Sequence, residues 1–300
     1  MPAALTHYIF ALDVYSCLDG VDKDYFLLGT QGPDPFFYRG ILKKGRPINY
    51  KEIWEVGEKL HHQNIAPVYL KMLEKANGDK KLSSFVYGLF LHYCLDKNVH
   101  PYVFYRSGFN KEGKLDSKYK YCHGSFESLL DINLSKATGK YTNPGKTINL
   151  KNINLNGVSN LFTLFKDPNL DIKTYKESVL DFIHIEKILF SRSGIKRLLF
   201  RVVGKYSLAY AMSYPHFYKR LDYIDVLNLK HNEWKDPCSG EVHASSIFDL
   251  MEKAKKEYLD LFSFLLNLDV DNINCYCKKV DHDGTPFGEK KKYCSCCYKV

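Results

Sequence analysis

Three side chains in the segment GLFLHYCLDKNVHPYVFY (88–105) are of types that bind metals or move protons: His92, Asp96 and His100. They stand four residues apart, and on an α-helix positions i, i+4 and i+8 lie along one face. Their neighbours are apolar and aromatic, so burying them costs free energy unless each is paired or bound. A second pair follows in HGSFE, where His123 and Glu127 again stand at i and i+4. Neutral imidazoles and carboxylates in this pattern are a ligand set suited to Zn2+, and helices hold such ligands rigidly. A plainer account is a His–Asp hydrogen bond along a core helix. Two such pairs and a third histidine in register favour the metal.

Other donors precede this stretch. His7 opens an apolar helical segment, THYIFA. Asp34 lies in a Gly/Pro turn, GTQGPDPFFY, where aspartate commonly caps the backbone. His61 and His62 are adjacent in EKLHHQN. Adjacent helical residues point about 100° apart, so one of the two faces the interior. His61 follows Leu60 and fits the inward stripe better; His62 is the alternate.

In this order, the elements resemble the zinc-dependent phospholipase C family, an all-α fold shared with single-strand-specific zinc nucleases. The resemblance rests on HYCLD (92–96), His100 and HGSFE (123–127), preceded by His7, Asp34 and His61, and covers roughly residues 1–135. It implies two or three Zn2+ ions. The first would take Asp34, His61, His92 and Asp96. The second would take His100, His123 and Glu127. A third would share Asp96 and use His7 with backbone groups of the mature N-terminus. The implied chemistry is hydrolysis of a phosphodiester, with Asp34 as general base or as the group that orients the attacking water.

The elements that must carry these residues read as helices. Apolar positions recur at helical spacing over 50–76, 81–100, 175–213 and 245–267. Pro101 predicts a stop after the second, and Gly194 and Gly204 punctuate the third. The stretch 143–160 is Gly/Asn-rich and predicts a connection with a short extended piece. The expected fold class is all-α, with a helical domain over 1–267 and a Cys-rich tail over 268–300.

The formal charge of +9 suits an anionic partner, although the lysines are spread as on any solvated surface. Arg39, Lys43, Lys44 and Arg46 form a basic loop. His184, His216 and His231 carry no assigned role. The N-terminus lacks a secretory pattern and no window spans a membrane, which predicts a cytoplasmic protein. Cys275, Cys277, Cys294, Cys296 and Cys297, with His282, read equally as a zinc knuckle or as free thiols. Three functions compete. The first is a phospholipase C-like hydrolase, with a phospholipid or other phosphodiester substrate and peripheral membrane contact. The second is a nuclease or small-phosphoester hydrolase, with Tyr93, Tyr102, Phe104 and Tyr105 as stacking surfaces. The third is a non-catalytic metal-binding or interaction protein.

Overall fold

The computed structural model describes residues 4–41, 47–191, 193–204, 208–214 and 224–295. It is mostly helical, as the periodicity predicts. The helices are α1 (Ala4–Tyr15), α2 (Lys23–Gly29), α3 (Tyr50–His62), α4 (Ala66–Ala76), α5 (Lys80–Ser107), α6 (Ser117–Thr138), α7 (Leu155–Phe162), α8 (Thr174–Leu189), α9 (Ile195–Val203), α10 (Leu208–Met212), α11 (Ile247–Leu266) and α12 (Val270–Cys277). The sheet among the described residues is one antiparallel hairpin, with Trp234 opposite His243.

Helix α5 is the axis of the molecule. Asp79 caps its start by accepting the N–H groups of Lys81 and Leu82. Most of its later residues are buried against α2, α4, α6 and α11. Helix α2 crosses it at a glycine pair. A Cβ on Gly29 would lie 2.1 Å from the Phe85 carbonyl, and one on Gly88 2.4 Å from the Phe26 carbonyl. Only glycine lets the two backbones approach this closely. Helix α11 begins with a capping box, Ser246 and Asp249 bonding reciprocally, and its Tyr258 hydroxyl donates to the Tyr87 carbonyl on α5.

Three local expectations change. The 50–76 stretch is two helices, broken at 63–65 before Pro67. Pro101 does not stop α5, which runs on to Ser107. Proline withholds one N–H, but Val99, Tyr102 and Val103 around it are buried, so tertiary packing carries the helix through. The 143–160 stretch holds two short 3-10 turns and the start of α7 in place of an extended piece.

The N-terminal end of α1 is tied down by Asp131 of α6. Its buried carboxylate accepts the backbone N–H groups of Leu5 and Thr6, the Thr6 hydroxyl and the Tyr214 hydroxyl. These amides are unpaired helix-start donors, so a distant side chain acts as their cap. His7 is fixed one residue further on. At the other end of the chain, α12 packs on α11 and α4. The loop 281–285 then docks on α5, and Ser295 N–H donates to the Tyr105 carbonyl.

Candidate metal centre

All eight donors singled out in the sequence are at least nine-tenths buried: His7, Asp34, His61, His92, Asp96, His100, His123 and Glu127. They gather into three groups around α5, which are His7/His92/Asp96, Asp34/His61/His92 and His100/His123/Glu127. Within each group the donor atoms lie within 4.8 Å of one another. His92 belongs to two of the groups. His61 faces this interior, whereas His62 turns towards Asp281 and Asp283.

The imidazoles are oriented from behind. His61 Nδ1 is 2.8 Å from the Gly57 carbonyl, one turn back on α3. His92 Nδ1 is 3.1 Å from the Thr30 carbonyl, and His100 Nδ1 is 3.1 Å from the His282 carbonyl. A carbonyl only accepts, so each Nδ1 carries the proton. His123 Nδ1 is 3.3 Å from Ser107 Oγ, and that hydroxyl already donates to the Val103 carbonyl. It therefore accepts from His123. Four imidazoles thus point Nε2 forward, the arrangement by which outer partners orient metal-ligating histidines.

Carboxylates meet those nitrogens. His61 Nε2 is 3.1 Å from Asp34 Oδ1, and His92 Nε2 is 2.9 Å from Asp96 Oδ2. His7 Nε2 is 3.2 Å from Asp96 Oδ1. His100 and His123 Nε2 lie 3.4 and 3.3 Å from the same Glu127 oxygen. Two donors held about 2.1 Å from one tetrahedral Zn2+ would stand about 3.4 Å apart. The spacing therefore fits a shared cation. The His92 contact is the sharpest of these. Its Nε2 is fully buried and makes no hydrogen bond despite its 2.9 Å approach to Asp96. A buried nitrogen facing a carboxylate without a hydrogen bond is costly, and a cation between them removes that cost.

Electrostatics agree with the geometry. Burial raises the Asp34 pKa, but nearby positive charge, His61 and His92 included, brings it down to about 2. Asp96 is held well below the ordinary range against burial by His100, His92 and His7. Burial lowers the His100 pKa, yet Asp96, Glu127 and Asp283 raise it to about 9.

A cleft of about 440 Å3 opens over these groups. His61, His100, His123 and Glu127 reach it, with Phe37, Phe104, Leu115 and Met212 as apolar wall. Of the four aromatics named as stacking surfaces, Phe104 lines the cleft. Tyr93 and Tyr102 are buried and donate to backbone carbonyls.

Residues 281–283 belong to this site, whereas the sequence groups His282 with the C-terminal cysteines. His282 N–H donates to the His61 carbonyl, and the His282 carbonyl holds His100. The His282 ring centroid lies 4.9 Å from that of His61, tilted against it, and 5.2 Å from that of Tyr93, edge to face. The local signal is the run Asp281-His282-Asp283-Gly284, three donor residues ahead of a turn glycine. Among the described residues the cysteines join no donor group, and Cys296 and Cys297 lie outside them. Arg39 pairs with Glu177 and Asp181 on α8, while Lys43, Lys44, Arg46 and His216 fall outside the described residues, as do the N-terminal three. His184 and His231 do not line the cleft.

The loop is seated by Gly284, whose φ is +71°. A Cβ there would lie 2.6 Å from the Lys97 carbonyl, the oxygen whose helical partner Pro101 removes. Gly284→Ala is expected to lift the loop, release His100 Nδ1 and weaken metal binding at the His100/His123/Glu127 group by about 10–100-fold. Zinc titration of the purified variant reads this directly. An unchanged affinity would show that the loop does not orient His100.

Among the described residues no helix is long and apolar enough to cross a membrane. No family model, curated protein or solved structure matches this chain.

Proposed function

We propose that the chain is a zinc-dependent phosphodiester hydrolase of the phospholipase C type, with the two or three ions held by His7, Asp34, His61, His92, Asp96, His100, His123 and Glu127. The observation that carries this reading is the buried His92 Nε2, 2.9 Å from Asp96 and without a hydrogen bond, among carboxylates that face forward-pointing imidazoles. Bound zinc would supply an activated water at neutral pH and charge stabilisation for a phosphoryl group. The protein's own residues do the rest. Gly57, Thr30, Ser107 and His282 fix the ring orientations. Asp34, with its pKa near 2, stays ionised and serves better as ligand and water-orienting group than as a proton acceptor. Phe37, Phe104, Leu115 and Met212 give an acyl chain or other apolar substrate portion a dry wall.

A cleft that reaches the donors favours catalysis over a purely structural metal site, which closes its fourth position with protein. The apolar wall favours a lipid over a nucleic acid. The test uses the metal-loaded full chain against bis(p-nitrophenyl) phosphate, phosphatidylcholine vesicles and single-stranded DNA. Hydrolysis of the first two, lost in His123→Ala, is the expected result. Cleavage of DNA alone would replace the lipid reading by the nuclease one, and no hydrolysis of any would sink both.

Metal affinity should also depend on pH. The His100 pKa is raised, so in the metal-free protein this side chain stays protonated up to about pH 9. A metal at its Nε2 must displace that proton. Each unit of pH below 9 therefore weakens binding about tenfold per displaced proton, and affinity at pH 8 should exceed that at pH 6 by about a hundredfold. A competition titration with a chromophoric chelator checks this. A flat profile would remove His100 from the ligand set.

A further inference from the structure

We propose that His62, Asp281 and Asp283 form an additional divalent-cation site at the mouth of the cleft, separate from the three groups built on α5. The donors come from the end of α3 and from the C-terminal loop, 219 residues apart in sequence for His62 and Asp281. Their ligand atoms all lie within 4.8 Å of one another. His62 Nδ1 is 3.2 Å from Asp281 Oδ2 and 3.8 Å from Asp283 Oδ2. These values bracket the roughly 3.4 Å between two donors on one tetrahedral Zn2+. The longer one is beyond hydrogen-bond reach, so Asp283 faces the imidazole across a gap.

Each donor is aimed by a second partner. Glu58 Oε2 lies 3.3 Å from His62 Nε2, which turns Nδ1 towards the two aspartates. This is a carboxylate–imidazole–cation order. Asp281 Oδ1 accepts the backbone N–H groups of Asp283 and Thr285, so Oδ2 is the oxygen presented to the group. Asp283 is balanced by Lys291, whose Nζ lies 2.7 Å from Oδ2. Asp281 and Asp283 are 6% and 7% exposed, and together carry one negative charge more than Lys291 offsets. Buried charge of this kind needs a counterion, either a protonated His62 or a bound cation.

The open side faces the cleft. Glu58, His62, Asp283 and Lys291 all line it, and the His62 side chain is 47% exposed. Three protein donors with a free position towards a cavity is the pattern of a ligand-binding ion, not of a closed structural one. The mixed nitrogen and oxygen donors suit Zn2+ or Mn2+ over Ca2+. Asp283 Oδ1 lies 3.6 Å from His100 Nδ1, so an ion here would border the deeper groups. Its place at the rim suits an anionic or hydroxyl oxygen of a bound molecule outside the reacting bond. The competing account is a doubly protonated His62 bridging Glu58 and the aspartates, with no metal at all.

The site stands independently of the proposed hydrolysis, and zinc counting separates the two. The metal-stripped full chain is titrated with Zn2+ against a chromophoric chelator at pH 7.5. His62→Gln, on the exposed end of α3, is expected to bind one equivalent fewer than the wild type with its tighter equivalents unchanged. Asp281→Asn should also lose this equivalent, and His92→Ala should lose deeper ions while keeping this one. Melting of the metal-free His62→Gln protein at the wild-type temperature shows that the loop is intact. Equal stoichiometry in wild type and His62→Gln would mean an ion-pair network only and would overturn the proposal. Loss of the equivalent in a chain that hydrolyses nothing would leave the site standing and remove the hydrolase reading alone.

Discussion

Asp96→Asn is expected to strip the centre of metal and abolish hydrolysis. Among the described residues this carboxylate alone lies within 4 Å of three of the assigned histidines. Its Oδ1 lies 3.2 Å from His7 and 3.8 Å from His100, and its Oδ2 lies 2.9 Å from His92. Asparagine keeps the size and removes the charge. Loss of an outer partner alone weakens metal binding about 10–100-fold, so loss of this inner carboxylate should exceed about a hundredfold. Elemental analysis of the purified variant, beside the phosphodiester assay, reads both effects. Wild-type zinc content in Asp96→Asn would reduce the His–Asp contacts to core hydrogen bonds and undo the metal reading.

The second large effect is expected at a residue that has no side chain of its own. Gly32 has φ +55°, and a Cβ there would lie 2.4 Å from the His92 ring. Gly32→Ala therefore meets two penalties. The left-handed backbone costs about 1–2 kcal/mol for a residue with a Cβ. Pushing a packed ring aside costs about 1–3 kcal/mol more. The displaced ring also loses its bond to the Thr30 carbonyl. Gly20→Ala is the control, since Gly20 has φ +72° and nothing within 4 Å of its Cβ position. It should show the backbone penalty in thermal melting with full zinc content. Gly32→Ala should lose about 2–5 kcal/mol and most of its metal. Equal zinc content in the two variants would show that His92 needs no precise seat.

Why the core of the centre was legible is plain in α5. His92, Asp96 and His100 share one helix, as do His123 and Glu127, and helical periodicity alone fixes which side chains meet. The burial stripe of α3 likewise separated His61 from His62. What could not be read was contact between segments far apart in sequence. The loop at 281–283 approaches His61, His62 and His100 across roughly 180 to 220 residues. No local pattern reports that distance. Pro101 misled for a related reason. A proline ends a helix that must stand on local hydrogen bonds, whereas α5 is packed on several sides and Gly284 sits against the carbonyl that Pro101 leaves unpaired. The Asp131 clamp on Leu5 and Thr6 was equally invisible, being a helix cap supplied from 125 residues away.

The docked loop also sets an order in time. The eight deep donors lie between residues 7 and 127, whereas the carbonyl that holds His100 belongs to residue 282. A ribosome therefore delivers the last of these donors about 155 residues before it delivers the brace. At about 5–20 residues per second that interval lasts some 8–30 seconds. During it, the nascent chain presents a complete but unbraced set of donors, and His62 still lacks its two aspartates. In the proposed centre, metal capture and final tightening would thus be separate events in synthesis, with a segment made later acting as the latch on donors made first.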